Sequence, residues 1–119
     1  MLDAIHQAQI REHGGTLGVR DEGMLESALA RPQHKFEYSA KADWGMLAAA
    51  YAFGLAKNHG FVDGNKRVAF MAAYVFLGLN GDDLDADELD VVATMEGVAA
   101  STMTEAALAK WFRRRLRPL

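Results

Sequence analysis

The sequence predicts an all-α domain, and three observations carry that prediction. Apolar residues recur at helical rather than alternating spacing. Two segments, WGMLAAAYAFGLA and VAFMAAYVFLGL, are apolar on every side, as helices are when other helices surround them. The two prolines, Pro32 and Pro118, leave long helical windows uninterrupted. The expected architecture is one domain over residues 1–119, with about six helices around a central apolar pair. No segment reads as a convincing strand.

A first helix is expected over residues 2–13, beginning abruptly without a leading turn. Gly14 and Gly15 stop it, since glycine accepts the left-handed conformation of a helix end. Asp21 is a good N-cap for a second helix, because a short acidic side chain bonds free backbone N–H groups. Its apolar positions are Met24, Leu25, Ala28 and Leu29. Pro32 should end it near Arg31, leaving residues 32–42 as a polar loop. Asp43 can cap a third helix over about 44–57. A fourth, about 64–79, ends at Asn80-Gly81. A fifth, about 87–99, places Leu89, Val92 and Met95 at three-residue steps. A sixth, about 105–116, sets Leu108, Trp111, Phe112 and Leu116 on one stripe. No internal repeat, linker or low-complexity segment interrupts the series.

Bulk properties narrow the function classes. A chain of 119 residues is long enough for one real core, and 50% hydrophobic with 24% charged residues is a globular balance. A net charge of -3 argues against a general nucleic-acid binder, which is usually basic. The absence of cysteine excludes a disulfide scaffold and thiolate metal sites, and fits a reducing cytoplasm. The start, MLDAIHQAQ, lacks the charged-then-apolar pattern of a signal peptide. The longest apolar run, VAFMAAYVFLGL, falls short of the about 18 residues that a membrane span needs.

Chemistry concentrates in HGFVDGNKR, residues 59–67, between the two apolar helices. The stretch should run as a loop into the N-terminus of the fourth helix. Such a terminus presents unpaired N–H groups and partial positive charge, and so binds anions. Gly60 and Gly64 allow tight turning and close approach to a ligand. Asn65 adds a neutral donor, and Lys66 and Arg67 add fixed positive charge. Together these residues can cradle phosphate. Asp63 among the cations can anchor Mg2+, which typically takes one or two carboxylates plus phosphate oxygens. His59 can accept a proton from an incoming hydroxyl. Phe61 is the apolar pin that would fix the loop. Base, metal anchor and anion cradle are the parts of phosphoryl or nucleotidyl transfer. The competing explanation is structural: Asp63 caps the helix, Gly64 eases its start, and the cations are solvated.

The stretch resembles the signature of the Fic/Doc family, H-x-F-x-[D/E]-[G/A]-N-[G/K]-R. EHGGTLGVRDEGMLESALARPQ resembles the family's first loop and second helix, and VFLGLNG the end of its central helix. The resemblance covers nearly the whole chain and is strongest to the Doc (death-on-curing) branch, the toxins of bacterial toxin–antitoxin modules. It implies the Fic fold. It makes His59 the base, Phe61 the buried anchor and Asp63 the magnesium ligand. Gly64, Asn65, Lys66 and Arg67 would hold the nucleotide phosphates, with Lys66 and Arg67 also serving the transfer itself. Fic enzymes that transfer AMP have glycine at the position of Lys66, and a second arginine where this chain has Phe70. Doc proteins share the lysine. The resemblance then implies an inverted ATP whose γ-phosphate goes to a Ser or Thr of a target protein. In the Doc branch the target class is translation elongation factor Tu, and the outcome is growth arrest. A separate antitoxin protein would restrain the enzyme. The alternatives are a Fic-type AMP-transferase that tolerates Lys66, and a catalytically silent Fic-fold binding module.

Other motifs carry less. Fic proteins are often silenced by a helix reading [S/T]-x-x-x-E-[G/N]. STMTEA, from Ser101 to Ala106, ends in alanine, and Glu105 lacks the second arginine it would pair with. Thr104 should instead cap the sixth helix, with Glu105 favouring its positive end. Walker A spacing is missed from Gly60 to Lys66, and no strand precedes it. An EF-hand read from Asp83 would need glycine at Glu88 and glutamate at Thr94. His6 and His13 lack a nearby third ligand for zinc, so packing or surface roles suit them, and also His34. The cations of AKWFRRRLRPL complement a helix C-terminus, or else dock an acidic partner. HKFEYSAKADW, which holds His34, Lys35, Phe36, Glu37 and Tyr38, is a candidate target-facing flap. No direct nucleic-acid or membrane partner is expected.

Overall fold

Helix α3 (Trp44–Asn58) is the axis around which most of the other helices pack in the computed structural model, which describes residues 1–38 and 42–119. Ala48, Ala49, Ala52 and Ala56 of α3 have no exposed surface. Side chains this small let neighbouring backbones approach. α2 (Glu22–Tyr38), α4 (Asn65–Leu79) and α6 (Glu105–Arg115) all pack against α3. A Cβ at Gly54 would lie 3.3 Å from the Ala28 Cα, and one at Gly45 3.1 Å from the Ala109 carbonyl oxygen. α2 and α6 thus meet α3 almost backbone to backbone. Leu55, Val68, Leu77, Val98, Leu108 and Phe112 fill the remaining core. α1 (Leu2–His13) packs on α4, and α5 (Glu88–Ala99) on α3, α4 and α6. The all-α class and the apolar helix pair at the centre are as the sequence predicts.

Two expectations fail. α2 does not stop at Pro32 but runs to Tyr38, so residues 32–38 are helix rather than loop. Proline removes one helical hydrogen bond and crowds the preceding turn. Tertiary contacts override that cost: Pro32 is buried, and Arg31 before it and Lys35 after it both pair with Glu105 of α6, Lys35 at 3.3 Å. Residues 39–41 of the expected flap lie outside the described residues. The second failure is a two-stranded antiparallel ribbon. β1 (Asp82–Leu84) pairs with β2 (Leu116–Pro118), so α6 ends at Arg115 and Leu116 opens a strand. Three residues per strand, rich in Asp, Arg and Pro, show no alternation. Pairing across the chain creates the ribbon, not local propensity.

The acidic stretch GDDLDADELD, residues 81–90, and Asp43 pair with arginines of the basic C-terminus. Arg115 pairs with Asp90 at 2.6 Å, Arg117 with Asp85 at 3.6 Å, and Arg113 with Asp43 at 2.7 Å. Asp87 caps α5 by accepting from the Leu89 N–H. Asp83 accepts from the Tyr74 hydroxyl at 3.0 Å, a bond that pushes that phenol up from its ordinary value. Three of the cations expected to complement a helix end or dock a partner are therefore held within the molecule.

Asp43 caps α3 through the Met46 N–H. Burial pushes its carboxyl up, but the bond from Arg113, the Met46 N–H and the arginine charge outweigh this and hold it below the ordinary value. A carboxyl depressed in the folded state stabilises fully above the unfolded value of about 3.9, and that contribution is lost as pH falls through the folded value. Asp43→Ala should cost about 1 kcal/mol at neutral pH. In urea melts the difference from the parent should shrink below about pH 4. A difference that stays constant into acid would assign the effect to helix propensity instead.

Candidate active site

α3 ends in an unusual way. His59, its C-cap, holds φ 50° and ψ 45°, the left-handed region that costs a residue with a Cβ about 1–2 kcal/mol. That turn reverses the chain, and Phe61 then drops into the core with 2% of its surface exposed. The Phe61 ring stacks on His6 of α1, with centroids 3.9 Å apart and planes 19° from parallel. The Asn65 amide grips the Phe61 backbone at both ends. Its Oδ1 accepts from the Phe61 N–H at 3.0 Å, and its Nδ2 donates to the Phe61 carbonyl at 3.0 Å. The α1–α2 loop closes the other side. Arg20 and Asp21 N–H groups donate to the Gly60 carbonyl at 2.7 and 3.0 Å, and Val62 N–H donates to that of Gly18 at 3.0 Å. Val19 and Phe61 form an antiparallel bridge. The loop backbone is fixed, while His59, Asp63 and Lys66 remain exposed.

Asp63 is held at three of its atoms. Oδ1 accepts from the Gly64 N–H at 2.8 Å and Oδ2 from the Thr16 N–H at 3.3 Å. Its carbonyl accepts from His6 Nε2–H at 2.9 Å. Gly15 makes room for the carboxylate, since a Cβ there would lie 2.5 Å from Asp63 Oδ2. Asp63 does not cap α4, as the structural alternative supposed. Gly64 is the N-cap, at φ 78°, and no side chain caps the helix. The N–H groups opening this 15-residue helix are therefore available to an anion.

The structure brings His59, Asp63, Gly64, Asn65, Lys66 and Arg67 to the junction of α3 and α4. It gives Asn65 a task the sequence did not indicate, since one amide N–H is committed to Phe61 rather than directed outward. Arg67 donates through Nη2 to the Gly14 carbonyl at 3.2 Å. His6, Gly15 and Thr16 are the residues that sequence reasoning missed. The sequence suggests only a packing or surface role for His6, and the folded chain places its donor on the Asp63 carbonyl. The one available signal was the glycine run after α1.

Asp63 fits a magnesium ion. Each carboxylate oxygen holds a single N–H and keeps lone pairs for coordination. Among the described residues no three His, Asp or Glu side chains form a metal cage, so other ligands would come from phosphates and water. Glu105 lies elsewhere, bonded to Arg31 and Lys35, while Thr104 caps α6 by accepting from the Ala107 N–H at 3.1 Å.

A histidine at a helix end, an anchored acid and an uncapped helix carrying Lys-Arg define a class of protein. The chain belongs to the Fic/DOC family, whose model matches residues 1–77. Its relatives place it in the Doc branch. It is 49% identical to Toxin Doc of Mycolicibacterium smegmatis over 75 residues, which are 62% of this chain and 58% of that protein. It is 33% identical to Protein kinase doc of Escherichia phage P1 over 108 residues, 87% of this chain and 86% of that one. The first match thus spans little more than half of the relative's length. Among the described residues no helix is long and apolar enough to cross a membrane.

Proposed function

We propose that this chain is a Doc-type toxin that transfers the γ-phosphate of ATP to a Ser or Thr hydroxyl of a target protein. The observation that carries the reading is the pairing of an exposed His59 with an anchored Asp63 at the uncapped start of α4. A relative bearing the name Protein kinase doc supports it. Lys66, where AMP-transferring Fic enzymes have glycine, favours γ-phosphate over AMP transfer.

The hydroxyl oxygen attacks the γ-phosphorus, and its proton passes to the imidazole of His59. The bond from the γ-phosphorus to the β–γ bridging oxygen breaks, and its electron pair leaves with ADP. The α4 N–H groups, Lys66 and Arg67 offset charge on the phosphate oxygens. Mg2+ held at Asp63 would supply further neutralisation of the phosphate charge. Asn65 and Phe61 keep the base and the metal anchor in register. Elongation factor Tu is the proposed target, with growth arrest as the outcome. A cognate antitoxin protein is the proposed restraint, and the cytoplasm the proposed compartment.

Two labels test the reaction. The protein is incubated with Mg2+ and bacterial lysate, once with γ-labelled and once with α-labelled ATP, with His59→Ala in parallel. Label from γ alone, on an elongation-factor-sized band and absent with the variant, is the expected result. Label from α would make the enzyme an AMP-transferase. No label from either, with nucleotide still bound, would make it a binding module.

A further inference from the structure

We infer that the end of α2, residues 32–38, is a hinged arm that Glu105 of α6 latches shut, and that it opens without unfolding the rest of the domain. The arm lies far from the candidate active site. α2 and α3 run in opposite directions. Asn58, at the end of α3, donates to the Met24 carbonyl near the start of α2, while Lys35 shares a cavity with Met46 near the start of α3. The 15 residues of α3 rise about 1.5 Å each, which sets the arm about 20 Å from His59.

The hinge is Pro32. Proline has no N–H for the Ala28 carbonyl, so α2 lacks a rung there. Before the hinge, Leu25 and Ala28 hold α2 in the core. After it, residues 33–37 are all exposed, and Phe36 leaves 67% of its surface in water. A helical stretch this short, with no buried side chain of its own over those residues, is marginal in water.

The latch joins the two sides of that hinge. Arg31 stands on the body side. Its stem lies against α3, where a Cβ at Gly54 would come 2.7 Å from its Cδ, and its guanidinium is 5.6 Å from the centre of the Phe53 ring. Arg31 Nη2 donates to Glu105 Oε1, which fixes the carboxylate. The other oxygen, Oε2, takes Lys35 Nζ at 3.3 Å. Arg31 and Lys35 are four residues apart on one face of α2, so a single carboxylate reaches both sides of the proline. The Lys35 side chain is 44% exposed, so water and salt weaken its hold. Lys35 also walls a cavity of about 300 Å³ lined by Met46, Ala109 and Lys110. Opening removes that wall and frees Lys35 to meet an acidic partner, so the latch sets when this face is available.

Hydrogen exchange read by mass spectrometry on the full chain tests the arm. Glu105→Gln keeps the size of the side chain and removes its charge. Amides of residues 34–38 should exchange about tenfold faster or more in this variant, while those of residues 24–31, 60–68 and 106–115 stay within about twofold. Lys35→Gln should give the same pattern from the other end of the pair. Raising salt to about 1 M should speed the same amides in the parent and change Glu105→Gln little. Trypsin gives a second reading. It does not cut Arg31 before Pro32, so the cut within the arm is Lys35–Phe36. That cut should also come about tenfold sooner in Glu105→Gln. Parental protection of residues 34–38 in both variants would overturn the latch. Faster exchange spread through α3 and α6 would overturn the arm as a separate unit, because Glu105 would then be holding the whole domain.

Discussion

His59→Ala should lower phosphoryl transfer by about 10²–10⁴-fold, the usual contribution of a positioned general base. His59→Gly should lower it equally, yet give a protein about 1 kcal/mol more stable than His59→Ala. The two variants remove the same imidazole but differ in the backbone they leave. His59 occupies the left-handed region, where alanine keeps the steric cost of a Cβ and glycine does not. Activity and stability are therefore predicted to move independently at one position. A purely structural histidine would not behave so, because losing its packing would reduce both. Urea melts and γ-label transfer on the same preparations decide the matter. Equal stability of the two variants would mean that the turn relaxes when the ring is removed. Retained transfer in both would remove His59 from the proton path.

In the proposed mechanism, a strained turn at this point has a physical use. Glycine would form the α3 terminus at lower cost but could not take a proton. The cost of holding a histidine in this conformation is met by the surrounding bonds. Gly60, the next residue, receives two backbone N–H groups from the α1–α2 loop, and Phe61 is locked by Asn65. Strain that is over-determined by its neighbours in this way is typical of functional positions.

The readable parts of this chain were those set by local chemistry. All-round apolar sequence announced α3 and α4 as the central pair, although α4 buries only one face and leaves Tyr74 and Leu79 exposed. Asp43 and Thr104 announced the starts of α3 and α6, because capping depends on residues three positions apart. His59, Asp63 and Lys66 stood out because charge between two apolar helices needs a reason. What could not be read depends on distant partners. The extension of α2 past Pro32 depends on Glu105, 70 residues beyond Lys35 in the chain. The β1–β2 ribbon joins Asp82 to Pro118. The hold of His6 on Asp63 spans 57 residues, and nothing around His6 marks it as more than a helix residue. The sequence marks Asn65 as a donor but hides its hold on Phe61, since a side chain four residues after Phe61 can reach back to it only when the loop between them curls.

Phe61→Ala should be among the most damaging substitutions of a residue that touches no substrate. Truncating a buried phenylalanine costs about 3–5 kcal/mol, a large share of the about 5–15 kcal/mol that holds a typical domain. The loss here has a second consequence. The ring is what His6 stacks on, and the same His6 holds the Asp63 carbonyl. Without the ring, His6 loses one wall of its site, and Asp63 loses a support. Phe61→Leu keeps most of the apolar volume and should cost less than about 1.5 kcal/mol. It should still reduce transfer, because a branched aliphatic side chain cannot stack. A double-mutant cycle with His6→Ala isolates the contact. Coupling of about 0.5–1.5 kcal/mol is expected for an aromatic pair of this geometry. Transfer rates measured under conditions where Phe61→Leu is fully folded then separate stability from alignment. A Phe61→Leu protein with parental activity would confine the ring to the core. Reduced activity with normal nucleotide affinity would show that the ring, through His6, sets where Asp63 stands.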